Sequence, residues 1–80
     1  MDINFSKQAI KAISRMDNLM KKRIKKSIML IPEGDIVSLK GSVDSFRLRV
    51  GDWRIIFSYP DKNSVFIEKI APRGKIYKGV

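Results

Sequence analysis

Arg47, Arg49 and Arg54 are the residues whose type and spacing point most directly to chemistry. They lie in Phe46-Arg47-Leu48-Arg49-Val50-Gly51-Asp52-Trp53-Arg54-Ile55-Ile56-Phe57, which reads as two strands joined by a Gly-Asp turn. Alternation along a strand puts Phe46, Leu48 and Val50 on one face and Arg47 and Arg49 on the other. Gly51-Asp52 supplies the positive φ of a two-residue hairpin, and the second strand brings Arg54 back alongside the first pair. Three guanidinium groups on one sheet face repel one another unless an anion sits among them. A planar, permanently charged fork matches two phosphate oxygens, so the pattern suggests a phosphate-rich ligand.

The elements that must position these arginines can be read on either side. Met1 to Phe5 alternates as a short strand, and Ser6 is placed to cap a helix with Phe5 as its staple. Ala9, Ile10 and Ile13 form the apolar stripe of that helix. Asp17 or Asn18 caps a second helix from about Asn18 to Leu30, with Leu19, Met20, Ile24, Ile28 and Ile31 on one side. Lys21, Lys22, Lys25 and Lys26 cover its other side, most simply as the solvated face. Pro32 stops this helix and Gly34-Asp35 turns the chain. Ile36 to Leu39 reads as a short extended piece. Phe46–Val50 and Trp53–Tyr59 form the hairpin, Pro60-Asp61-Lys62-Asn63 turns, and Ser64 to Ala71 is the last strand before Pro72. The expected fold class is α+β: an N-terminal strand, an antiparallel two-helix hairpin, then a three-stranded antiparallel meander completing a four-stranded sheet. One domain is expected over residues 1–80.

Composition narrows the partners. The chain has 80 residues, 17 Lys+Arg against 8 Asp+Glu, and a formal net charge of +9. So basic a balance favours nucleic acid, an anionic membrane or an acidic protein. There is no cysteine and no histidine, so neither disulfides nor a zinc or copper site is expected. The start lacks the pattern of a secretion signal, and the apolar run Ile28 to Ile31 is too short to span a bilayer. A cytoplasmic protein without a membrane partner is the expectation.

With Leu39-Lys40-Gly41, Arg47-Leu48-Arg49-Val50-Gly51-Asp52-Trp53-Arg54 and terminal Arg73 … Tyr77 in this order, the chain resembles the RelE/ParE superfamily, the toxin halves of type II toxin–antitoxin pairs. The resemblance covers nearly the whole chain and is closest to the RelE-type mRNA endoribonucleases. It implies a RelE-like fold, a cognate antitoxin that wraps the toxin, and a cytoplasmic setting. RelE-type members act with the ribosome and cut mRNA in the A site without a metal or other cofactor. The 2′-hydroxyl attacks the neighbouring phosphate, leaving a cyclic phosphate and a free 5′-hydroxyl. ParE-type members share the fold but poison DNA gyrase.

Carried over by position, the resemblance implies catalytic roles for Arg47, Arg49, Arg54, Arg73 and Tyr77. RNA binding is expected of Lys40, Lys75 and Lys78. The chain departs from the best-known RelE-type members, which carry lysines where Arg47 and Arg49 stand here; other ribonuclease branches use a histidine or glutamate. Arg54 and Arg73 suit neutralisation of the crowded phosphate. Arginine is a poor general base because its pKa lies above about 12. Lys40, Lys75, Glu68, Asp44 or ribosomal RNA could take the proton, and Tyr77 reads as a platform for stacking a base.

Blander readings stand beside these. Arg47 and Arg49 could be the wet face of an antiparallel sheet. Arg73 and Tyr77 could be a basic tail, and Trp53 a packing residue. Three functions compete: a ribosome-dependent endoribonuclease, a ParE-like gyrase inhibitor without nuclease activity, and a catalytically decayed RNA-binding homologue.

Overall fold

The computed structural model describes residues 1–41 and 44–76. Tyr77 and Lys78, named above, lie outside the described residues. The order is β1 (Asp2–Phe5), α1 (Lys7–Ser14), α2 (Asn18–Met29), β2 (Asp35–Ser38), β3 (Ser45–Val50), β4 (Trp53–Ser58) and β5 (Ser64–Pro72). The sheet has five strands in the order β1-β5-β4-β3-β2, not the four expected. The extra strand is β2, the short extended piece, which pairs antiparallel with β3 from Asp35↔Arg49 to Ser38↔Phe46. Asp35, read from sequence as part of a turn, is therefore a strand residue. β1 pairs parallel with β5, and the other pairings are antiparallel.

Both helix starts follow the capping logic. The Ser6 Oγ accepts from the Ala9 N–H at 3.0 Å, and the Asp17 carboxylate accepts from the Met20 N–H at 2.8 Å. The two-helix hairpin expected from sequence differs in detail, since the helices pack on the sheet more than on each other. They touch each other little, and α1 lies mainly on β5. The inward residues are Ala9 and Ile13 from α1 and Ile24 and Ile28 from α2. Ile10 and Leu19, placed on the apolar stripes from sequence, are exposed instead. Ile10 sits about 100° round the helix from buried Ala9, and Leu19 about 100° from half-buried Met20, each on the shoulder of its stripe.

Alternation along the strands fixes the other half of the core. Leu48 and Val50 of β3, Ile55 and Phe57 of β4, and Val65, Ile67 and Ile70 of β5 are buried against the helices. Phe46, Phe57 and Tyr59 form an aromatic cluster on this side, with centroids 5.4 to 5.6 Å apart. Trp53 packs against the same core, as a packing residue.

The first turn of α1 continues the ladder that β1 begins. The Ser6 N–H donates to the Ile67 carbonyl at 2.9 Å, and Ser6 Oγ donates to the Glu68 carbonyl at 2.7 Å. The Gln8 amide then donates to the Ile70 carbonyl and accepts from the Ile70 N–H, both at 3.0 Å. Backbone groups of β5 beyond the reach of β1 are thus satisfied by two side chains. Among the described residues, no helix is long and apolar enough to cross a membrane.

Candidate functional site: an arginine face on the sheet

The residues opposite the core form the other face of the sheet, and register arranges them in rows. One row reads Val37, Arg47, Ile56 and Lys69 across β2, β3, β4 and β5; the next reads Asp35, Arg49, Arg54 and Ala71. Arg47 and Arg49 are therefore not equivalent. Arg47 has β-branched neighbours on both sides, and its side chain is 22% exposed. Arg49 stands between a carboxylate and a second guanidinium, and its side chain is 55% exposed.

Arg49 and Arg54 are directly opposite each other on paired strands. Like charges so placed destabilise a sheet by roughly 0.2–1 kcal/mol. Asp35 offsets this from the other side, its Oδ2 2.5 Å from Arg49 Nη2 and its Oδ1 3.7 Å from Arg47 Nη2. The anion that the arginine pattern demands is thus partly supplied by the chain itself. Arg47 remains under-used, because its Nε is buried with no acceptor among the described residues. Such a donor costs about 1–3 kcal/mol.

The β3–β4 turn organises the rest of the site. Gly51 has φ +58°, the left-handed conformation that begins a tight hairpin of two residues. Arg54 Nη1 donates to the Gly51 carbonyl at 2.8 Å and to the Trp53 carbonyl at 3.0 Å. Those bonds fix the guanidinium at the end of the sheet and leave its other N–H groups for a ligand. The Arg73 N–H donates to the Asp52 carbonyl at 2.8 Å, so Arg73 starts from the same turn. A Cβ built on Gly51 would lie 3.1 Å from Arg23 Nη1, which puts the α2 guanidinium against the turn as well. Residues 73–76 are anchored: the N–H groups of Lys75 and Ile76 both return to the Pro72 carbonyl, and Ile76 is buried.

The structure gathers some of the sequence-chosen residues and separates others. Arg47, Arg49 and Arg54 share the sheet face, and Arg73 joins them at the turn. Lys40 and Asp44 lie in the connection between β2 and β3, at the end of β3 away from that turn. Lys75 lies in the tail turn beyond β5 and is exposed. Glu68 is left without a β4 partner by the bulge between Ile56 and Phe57. Its Oε2 accepts from Ser45 Oγ at 3.4 Å, reaching across β4 on the arginine side of the sheet. Sequence reading missed Asp35 and Arg23. Asp35 carried the signature of a turn because it follows Gly34, and Arg23 was one cation in a run of cations.

No protein-family model matches the sequence, and no curated protein matches it significantly. Solved structures do match. The chain is similar to the RelB–RelE antitoxin–toxin complex from Methanococcus jannaschii at TM-score 0.73 and 24% identity, covering 89% of this chain and 91% of that one. For the archaeal RelE–RelB complex from Pyrococcus horikoshii the TM-score is 0.70 at 27% identity, covering 92% and 96%. For the intact E. coli RelBE toxin–antitoxin complex it is 0.69 at 16% identity, covering 89% and 94%. The fold is RelE-like over nearly the whole chain, in agreement with the resemblance carried by its motifs.

Proposed function

We propose that this RelE-like chain is the toxin half of a type II toxin–antitoxin pair and acts as a ribosome-dependent mRNA endoribonuclease. The observation that carries this reading is the pairing of Arg49 with Arg54 on a sheet face beside Arg47, next to a hairpin turn to which the Arg73 backbone is bonded. Like charges held together against their repulsion mark a site arranged for an anion rather than for stability. The structural neighbours are RelB–RelE complexes, which supports an antitoxin as protein partner.

In this reading the 2′-hydroxyl attacks the adjacent phosphorus, the 5′-oxygen leaves, and a cyclic phosphate remains. Arg54 is fixed by the turn carbonyls and the Arg73 backbone is bonded to the same turn, and we assign both to the charge that grows on the phosphate oxygens. Preorganised donors of that kind contribute roughly 3–4 kcal/mol each to the transition state. Glu68 is bonded to Ser45 at the end of β3 away from the turn, and Lys40 and Asp44 lie at that same end, so the proton from the 2′-hydroxyl goes to one of Lys40, Lys75, Asp44, Glu68 or ribosomal RNA. Tyr77 and Lys78 follow the anchored segment in sequence, and their proposed roles are base stacking and phosphate contact.

The test is to map new mRNA 5′ ends after adding purified protein to a translating extract, with and without ribosomes. Breaks on translated message alone support the nuclease. A folded, growth-inhibiting protein that makes no breaks but blocks supercoiling by purified gyrase overturns it in favour of a ParE-like activity.

A further inference from the structure

We propose that Asp35 is an internal anion: in the ligand-free protein it occupies the phosphate position of the Arg47–Arg49 pair and sets how tightly an incoming phosphate is held. The inference deepens the reading of the arginine face as a phosphate site and rests on it.

The geometry argues for occupancy. One carboxylate presents its two oxygens to two different guanidinium groups, Oδ2 to Arg49 and Oδ1 to Arg47. A phosphate diester also presents two non-bridging oxygens, and the guanidinium fork does not distinguish the two anions by shape. The fit is incomplete, however. At 3.7 Å the Arg47 contact is an ion pair without a hydrogen bond, and the Arg47 Nε has no acceptor among the described residues. A tetrahedral group could satisfy donors that a planar carboxylate on the next strand does not reach.

Exposure argues for exchange. The Asp35 side chain is 39% exposed and sits on an edge strand, with solvent on its open side. An ion pair in that setting is screened and weak. A phosphate can therefore take over Arg49 without stranding a buried carboxylate, and the Asp35 charge opposes the newcomer at close range. Asp35 thus keeps the arginines ordered and lowers their affinity for stray anions. A ligand offering several phosphates at once displaces it more readily than a single phosphate does.

The test compares wild type with Asp35→Asn and with Asp2→Asn. Asp2 lies on β1, at the opposite edge of the sheet, and its substitution changes net charge equally. Thermal unfolding is followed while inorganic phosphate is titrated. Ligand stabilisation rises with concentration over Kd, and Asp35→Asn should bind phosphate at least about fivefold more tightly than wild type. Asp2→Asn should follow wild type. In an Arg49→Gln background, Asp35→Asn should lose most of that gain. With a single-stranded RNA oligonucleotide, Asp35→Asn should bind more tightly, and its log K against log salt slope should steepen by about 0.7 per extra phosphate neutralised.

Equal phosphate responses in Asp35→Asn and Asp2→Asn overturn the proposal, because net charge then explains both. Weaker binding by Asp35→Asn overturns it too, because the carboxylate would then be supporting the site rather than filling it. If the phosphate responses come out as expected while translated message stays uncut, the internal anion stands and the nuclease reading falls.

Discussion

Asp35 and Arg49 stand directly opposite each other on neighbouring strands, with carboxylate and guanidinium 2.5 Å apart on the exposed face of the sheet. Arg49 is shared, because Arg54 stands opposite it on the other side. The pair is exposed, so replacing Asp35 by Asn should change unfolding free energy by less than about 1 kcal/mol. Urea denaturation of the two proteins checks this, and it also establishes that any change in anion binding is not a folding defect.

Arg73→Ala should abolish most cleavage while leaving the fold intact, because among the described residues Arg73 makes no side-chain bond, and alanine retains its backbone bond to Asp52. A loss of about 10²–10³ in rate is expected for one well-placed donor. Arg54→Ala should lose activity similarly and also some stability, since its bonds to Gly51 and Trp53 go with it. Single-turnover cleavage on programmed ribosomes, beside a melting curve for each variant, separates the two effects.

Gly51→Ala should be destabilised by about 1–2 kcal/mol from the left-handed backbone alone. The new methyl would also press on the Arg23 guanidinium, 3.1 Å from its ideal position. Arg23→Ala combined with Gly51→Ala should recover the contact component and leave the backbone component, read as the difference between two denaturation midpoints.

Ser6→Ala removes a helix cap and the donor to the Glu68 carbonyl together. The expected loss is about 1–2 kcal/mol. Gln8→Ala should cost about as much, because it orphans both the N–H and the carbonyl of Ile70. Amide exchange at Ile70 should quicken selectively in the Gln8 variant, which distinguishes local opening of β5 from general destabilisation.

The strands bearing the arginines were legible in the sequence because strict alternation and a Gly-Asp turn leave little freedom of register. Ser6 was legible as a cap for a similar local reason, and the second cap was narrowed to Asp17 or Asn18, of which the structure uses Asp17. The fifth strand was not. Asp35–Ser38 has four residues with no clear apolar alternation, and its pairing with β3 is a long-range event that local pattern does not encode. Asp35 was missed for that reason, since its place on the arginine face exists only once β2 docks. The helix stripes were overdrawn at Ile10 and Leu19 because spacing alone does not say how wide a face the sheet will cover.

The parallel pairing of β1 with β5 has a consequence for how the molecule comes into being. Asp2 meets Ser64, and β5 lies inside the sheet with β1 on one flank and β4 on the other. The most non-local contacts are therefore the ones that complete the core, a topology that folds slowly. A chain interrupted before β5 keeps an unpaired β4 edge and an apolar sheet face with nothing to cover it, a species prone to aggregation. Partial synthesis or a nick before Ser64 would then yield material for proteolysis rather than a weakened protein. Activity in a cell would follow the number of finished chains.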